Sequence, residues 1–150
     1  MIWLYVNDCP WNERTFTAAA GIGNLGNLIW LYVNDCPWNG NTFTAAAVHG
    51  SLENMMWLES YSCPWYEETF TGAAEHGSLG NMKWLYENEC PWNADTFTNA
   101  AVYHHFEAMK WLMENGCPIP DSIPAAKCLG NGPIIQSMQE QGYSVEFVQE

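Results

Sequence analysis

The chain has little positive charge. Among 150 residues only Arg14, Lys83, Lys110 and Lys127 are basic, against 17 Asp and Glu, for a formal net charge of -13. Nucleic acid and anionic membranes are both held by clustered Lys and Arg, so neither is expected as a partner. Long apolar runs are also missing. The N-terminal run Ile2–Val6 follows no basic segment and is too short for a signal peptide or a membrane span. No Asn-x-Ser/Thr sequon occurs, and no Cys-x-x-Cys pair, the local spacing that zinc sites use. These absences favour an intracellular protein with reduced thiols, in the cytoplasm first and the nucleus second. Catalytic motifs are lacking too. Gly21-x-Gly23-x-x-Gly26 has the spacing of a phosphate loop, but it follows a helical pattern rather than a strand. No nucleophile elbow or Ser-His-Asp arrangement is readable. No enzymatic activity, cofactor or metal is expected.

What is present is repetition. Trp3, Trp30, Trp57, Trp84 and Trp111 are 27 residues apart, and so are Trp11, Trp38, Trp65 and Trp92. These are all nine tryptophans. Cys9, Cys36, Cys63, Cys90 and Cys117 keep the period, as do Phe16, Phe43, Phe70 and Phe97. Such self-similarity marks a stacked-repeat architecture. With 48% apolar and 15% aromatic residues, the chain has the material for one packed domain.

One unit, CPWNGNTFTAAAVHGSLENMMWLESYS, runs from Cys36 to Ser62. Asn39 is a good helix N-cap. Phe43, Ala46 and Ala47 fall on one face of a first helix of about two turns. Gly50 is expected to end it with positive φ. A second helix begins near Ser51, with Leu52, Met55 and Leu58 on its buried face and Trp57 widening the stripe. Asn88, in the next unit, is expected in the left-handed cap, and Pro91 stops the helix. A two-turn helix is marginal alone, so only stacking can bury its face. The reading is an all-α helix-turn-helix solenoid of about five stacked repeats in a single domain, 1–150. It comprises a partial repeat 1–8, repeats 9–35, 36–62, 63–89 and 90–116, and a degenerate capping repeat 117–150. The half-unit at the start implies a frayed end or a place within a longer array.

The run Ala46-Ala47-x-x-Gly50-Ser51-Leu52-Glu53-Asn54-Met55-Met56-Trp57-Leu58 resembles the ankyrin repeat position by position. Ala73-Ala74-x-x-Gly77-Ser78-Leu79 and Asn115-Gly116-Cys117 fit the same pattern, and His105 takes the His position of its Gly-His pair. The period of 27 is shorter than the usual ankyrin 33. The missing residues fall where ankyrins build a β-hairpin, so short loops are expected. The Trp-Leu…Cys-Pro-Trp pattern looks like short ankyrin-type arrays of protists, algae and large DNA viruses. His104 replaces the turn glycine in its unit, which questions that turn. The resemblance implies protein recognition on a concave face and no catalytic residues; the expected protein is a monomeric scaffold or adaptor, and its acidic balance favours a partner of basic or mixed character. A structural fragment of a longer array is the first alternative, and a Cys-based metal or redox protein the second.

The repeated Cys-Pro-Trp is read as packing. Equal positions in stacked units lie about 10 Å apart, beyond the reach of a disulfide, and buried thiols behave as small hydrophobes. Off-phase Cys128 and the pair His104-His105 are the other metal-capable residues. Glu13, Glu67, Glu68, Asp95 and Asp121 fall in expected first turns, where negative charge suits the helix dipole. Asp8, Asp35 and Glu89 share a phase at the end of the second helix, the wrong end for a carboxylate. They form either an acidic ridge for a basic partner or a solvated edge. His49, Glu75, His76, Tyr103 and His104 vary at the end of the first helix while the framework around them repeats. They are the candidate partner contacts.

Overall fold

The computed structural model describes residues 11–120, 122–124, 132–140, 142 and 144–146. Four helix pairs occupy the repeating part. They are α1 (Glu13–Ile22) with α2 (Leu25–Val33), α3 (Gly40–His49) with α4 (Leu52–Ser60), α5 (Glu67–Glu75) with α6 (Leu79–Glu87), and α7 (Ala94–Val102) with α8 (Phe106–Glu114). Both the first and the second helix of each pair start at intervals of 27 residues. The expected partial repeat 1–8, with Trp3 and Asp8, and Cys9 lie outside the described residues.

Each first helix is started by its own side chains. Asn12, Asn39 and Asn93 accept from the N–H groups of Arg14, Asn41 and Asp95 at 3.0, 3.0 and 2.9 Å. In return Thr15, Thr42 and Thr96 accept from the cap residues' N–H groups. This reciprocal arrangement satisfies donors that a helix start otherwise leaves open. In the third pair Tyr66 replaces asparagine, and the return bond to Thr69 persists at 3.2 Å.

Phe16, Phe43, Phe70 and Phe97 are fully buried, with the pairs Ala19-Ala20, Ala46-Ala47, Ala73-Ala74 and Ala100-Ala101 beside them. The alanines let successive first helices approach closely, and α1, α3, α5 and α7 pack in sequence. Threonines lock their register. Thr17 bonds Thr42 at 3.3 Å, Thr44 bonds Thr69 at 2.9 Å, and Thr71 bonds Thr96 at 3.3 Å. The second helices contribute Leu28 and Leu31, Met55 and Leu58, Met82 and Leu85, and Met109 and Leu112, all fully buried.

The Cys-Pro-Trp run now has a physical account. At the end of α2, Asp35 N–H donates to Tyr32 and Cys36 N–H to the Leu31 carbonyl, with Asp35 at φ 54°. This is a Schellman ending, whose usual companion is an apolar contact from the residue after the left-handed one. That residue is the cysteine. Cys63, Cys90 and Cys117 repeat the bond to Leu58, Leu85 and Leu112 at 2.9, 2.9 and 3.0 Å. All four thiols are free and buried. Each thiol also donates to the carbonyl of the residue 24 positions back, Asn12, Asn39, Tyr66 or Asn93, tying the end of a helix pair to its beginning. Proline prevents continuation of the helix. The tryptophan then reaches the preceding unit. Trp38, Trp65 and Trp92 lie 5.2, 4.9 and 5.1 Å from the rings of Phe16, Phe43 and Phe70.

Several expectations need correction. Gly50 is extended at φ -84°, not left-handed. Its lack of a side chain serves a close approach, because a Cβ there would sit 2.6 Å from the Ala20 carbonyl oxygen. Asn88 is at φ -101°, and its side-chain amide instead caps the Trp84 carbonyl at 2.8 Å. The left-handed residue is its neighbour Glu89, at φ 59°. Leu52 is 40% exposed, while Asn54 is buried and donates to the Ala20 carbonyl at 3.1 Å. The first helices have 9 or 10 residues, about two and a half turns rather than two. The turn at His104 survives without glycine, with His104 itself at φ 60°.

The C-terminal segment departs from the all-α expectation. Strand β1 (Ser122–Pro124) pairs in parallel with β2 (Ser144–Glu146), in register Ser122 to Ser144. Helix α9 (Gly132–Glu140) forms the crossover that a parallel pair requires. Prolines at 118, 120 and 124 prevent a first helix of the repeating kind. Helix α9 still buries Met138, and Gly142 keeps the positive φ of Gly116.

Candidate functional site

Each first helix runs from a rim formed by the Cys-Pro-Trp loops to an opposite rim formed by the turns between paired helices. Ten residues of helix separate the two rims by about 15 Å. All four histidines sit at the turn rim.

There the structure brings the expected contacts together in two groups. His49 and His76, both exposed, meet edge to face with ring centroids 4.3 Å apart. The Glu75 side chain raises the Tyr103 pKa above its ordinary value, through hydrogen bonding to the hydroxyl first and through its carboxylate charge second. Tyr103 is 52% exposed. His104 occupies the left-handed turn, exposed, with its ring 6.0 Å from Phe106. A recess of about 390 Å³ lies behind it, lined by Gly77, His105, Phe106 and Glu107.

One residue of this rim, Ile22, was not singled out in the sequence. Ile22 is 72% exposed and stands in phase with His49, His76 and Tyr103, so adding 27 repeatedly finds it. His105 anchors rather than presents. Its Nε2 is 2.8 Å from the Glu75 carbonyl oxygen, and its ring lies where a side chain on Gly77 would go. Ser78 makes the equivalent bond to Val48 one unit earlier, at 3.2 Å.

The other candidates divide plainly. Glu13, Glu67, Glu68 and Asp95 stand in first turns, where the dipole favours them. Asp121 and Cys128 lie outside the described residues. Burial pushes the thiols of Cys63, Cys90 and Cys117 up to about 12 and that of Cys36 upward. At neutral pH they are thiols, not the thiolates that bind metals or attack electrophiles. Among the described residues, no three His, Cys, Asp or Glu are placed to share a metal ion. Nor is any helix among them long and apolar enough to cross a membrane.

No family model matches this sequence, and no curated protein matches it either.

Proposed function

We propose that this protein is an ankyrin-type interaction module that binds another protein through its turn rim and the adjoining faces of the first helices. The observation that carries the reading is the contrast between frame and rim. Buried positions repeat with the same or similar residues from pair to pair, whereas the exposed phase changes from Ile22 to His49, His76 and Tyr103. A rigid scaffold with a varied exposed row is what a repeat-based binding surface needs. The row combines an apolar end, an imidazole pair and an aromatic hydroxyl, with the Glu75 carboxylate close to Tyr103. Aromatic side chains of this kind carry much of the binding energy at interfaces. The net charge of -13 favours a partner of basic or mixed character.

The test compares proteins captured by the wild-type chain with those captured by the double variant Glu75→Gln/His76→Ala, each checked for folding by circular dichroism. A partner whose affinity falls about tenfold or more in the variant supports the reading. Full retention of every captured partner by the folded variant would contradict it.

A further inference from the structure

The opposite rim carries a different kind of recess. At the end of α6, Tyr86, Glu87, Glu89, Cys90, Pro91 and Trp92 line an open depression of about 620 Å³. Its floor is an aromatic pair, Tyr86 and Trp92, with centroids 4.9 Å apart and planes inclined by 37°. Tyr86 is 43% exposed, so part of its ring remains available. The same pair recurs two units earlier, where Tyr32 and Trp38 lie 5.3 Å apart at 32° and Tyr32 is 40% exposed. Asp35 there stands in the phase of Glu89. The intervening unit has a recess at the same place, about 350 Å³, lined by Glu59, Ser62, Cys63, Pro64 and Trp65. It lacks the tyrosine and has serine in place of the second acid.

We infer that the Tyr86/Trp92 recess, and the matching aromatic pair Tyr32/Trp38 near Asp35, each bind an arginine side chain of a partner protein. Three features common to the two places favour a cation. An aromatic face attracts a guanidinium through its quadrupole. Carboxylates at the rim, Glu87 and Glu89 in one case and Asp35 in the other, can accept its N–H donors. A helix C-terminus adds negative potential. Arginine suits this set better than lysine, because a planar guanidinium stacks on a ring and bonds a carboxylate in the same pose. The acids themselves are badly placed for stability. Asp35 and Glu89 are held at φ 54° and 59°, where Gly116 stands in the fourth pair, and at the helix end that disfavours negative charge.

The spacing narrows the partner further. Two units separate the two aromatic pairs by about 20 Å if neighbouring helices pack at about 10 Å. An extended chain rises about 3.3 Å per residue, so the two arginines would stand about six positions apart in a strand-like segment. This surface is at the far end of the first helices from the turn rim, so either reading can fail without the other.

The first probe is N-acetyl-arginine amide, titrated into the full chain while the indole N–H signals of the tryptophans are followed by NMR. Saturable shifts at Trp92 and Trp38, larger than at Trp65, weakened by salt and absent with the citrulline analogue, are expected. Glu89→Gly should abolish or weaken the Trp92 response by about tenfold while leaving Trp38 unchanged. Ser62→Gly should change neither. Tyr86→Leu gives a second loss at Trp92, through the aromatic floor rather than the charge. A peptide with two arginines six positions apart should bind more tightly than either arginine alone. An equal response to citrulline, no response at Trp92, or an undiminished response in Glu89→Gly would overturn the assignment.

Discussion

Replacing Glu89 by glycine should stabilise the protein, although it removes a whole side chain. Glu89 sits at φ 59° as the left-handed residue after α6. A residue with a Cβ loses about 1–2 kcal/mol in that region relative to glycine. Its carboxylate lies at a helix C-terminus, where negative charge costs about 0.3–1 kcal/mol. Glycine gives the unfolded chain more freedom, which offsets about 0.4–1 kcal/mol of the gain. The net expectation is a stabilisation of about 1 kcal/mol, or a Tm rise of about 2–4 °C for a chain of this size. Urea unfolding followed by tryptophan fluorescence, together with a thermal scan by circular dichroism, measures it. Ser62→Gly, at the same φ of 59° but uncharged, should gain somewhat less, and the difference isolates the charge. Gly116→Ala is the mirror experiment. Gly116 has φ 76° and open space where a Cβ would stand, so its loss of about 1 kcal/mol would be purely conformational. A fall in Tm for both Glu89→Gly and Ser62→Gly would refute the reasoning, since it would mean that these residues are not left-handed.

Two other glycines separate space from conformation: Gly50→Ala should destabilise, because its Cβ would meet the Ala20 carbonyl oxygen at 2.6 Å, while Gly80→Ala, in open space within α6, should be neutral or add up to about 1 kcal/mol. Urea midpoints of the two variants check this. Thr69→Val removes the 2.9 Å bond to Thr44 and the acceptor for Tyr66 N–H, and should cost about 1–2 kcal/mol in the same assay. Tyr103 gives a pH prediction. Its folded pKa is raised above its ordinary 10.0 by Glu75, so this contribution to stability is complete below pH 10 and lost as pH rises through the folded value. Glu75→Gln should return the Tyr103 titration toward the ordinary value, read by NMR of the tyrosine ring signals.

The period of the sequence carried most of the helical organisation. Phe, Ala-Ala and Asn at fixed phases place the buried face and the N-caps, because each acts through contacts that recur in every unit. The endings were harder to read. Gly50, Gly77 and His104 share a phase yet have φ of -84°, 65° and 60°, because in each unit the local turn depends on what the neighbouring unit packs against it. Asn88 was a reasonable left-handed residue by type, but the Schellman bonds of Cys90 and Glu89 put that conformation one position later. The short strand pair had no periodic signal at all. Within the candidate rim, the common phase of His49, His76 and Tyr103 is legible in the sequence, and Ile22 shares that phase although its residue type points to the core. The influence of Glu75 on Tyr103 joins residues 28 positions apart in neighbouring units, a relation that no local spacing displays. The aromatic pairs of the loop rim were hidden for a similar reason, since tryptophan at a repeating position reads first as packing.

The central claim is that the repeated Cys-Pro-Trp closes helices and seals units, and performs no chemistry of its own. Alkylation of the native protein by iodoacetamide at pH 8, mapped residue by residue by mass spectrometry, tests it most directly. With their thiols pushed up to about 12, Cys63, Cys90 and Cys117 should hold only about 1 part in 10,000 as thiolate, against roughly a quarter for an ordinary cysteine. They should therefore react at least about a thousandfold more slowly than after unfolding in urea. Rapid labelling of these three residues in the folded chain, or protection that vanishes when a chelator strips bound zinc, would contradict the claim.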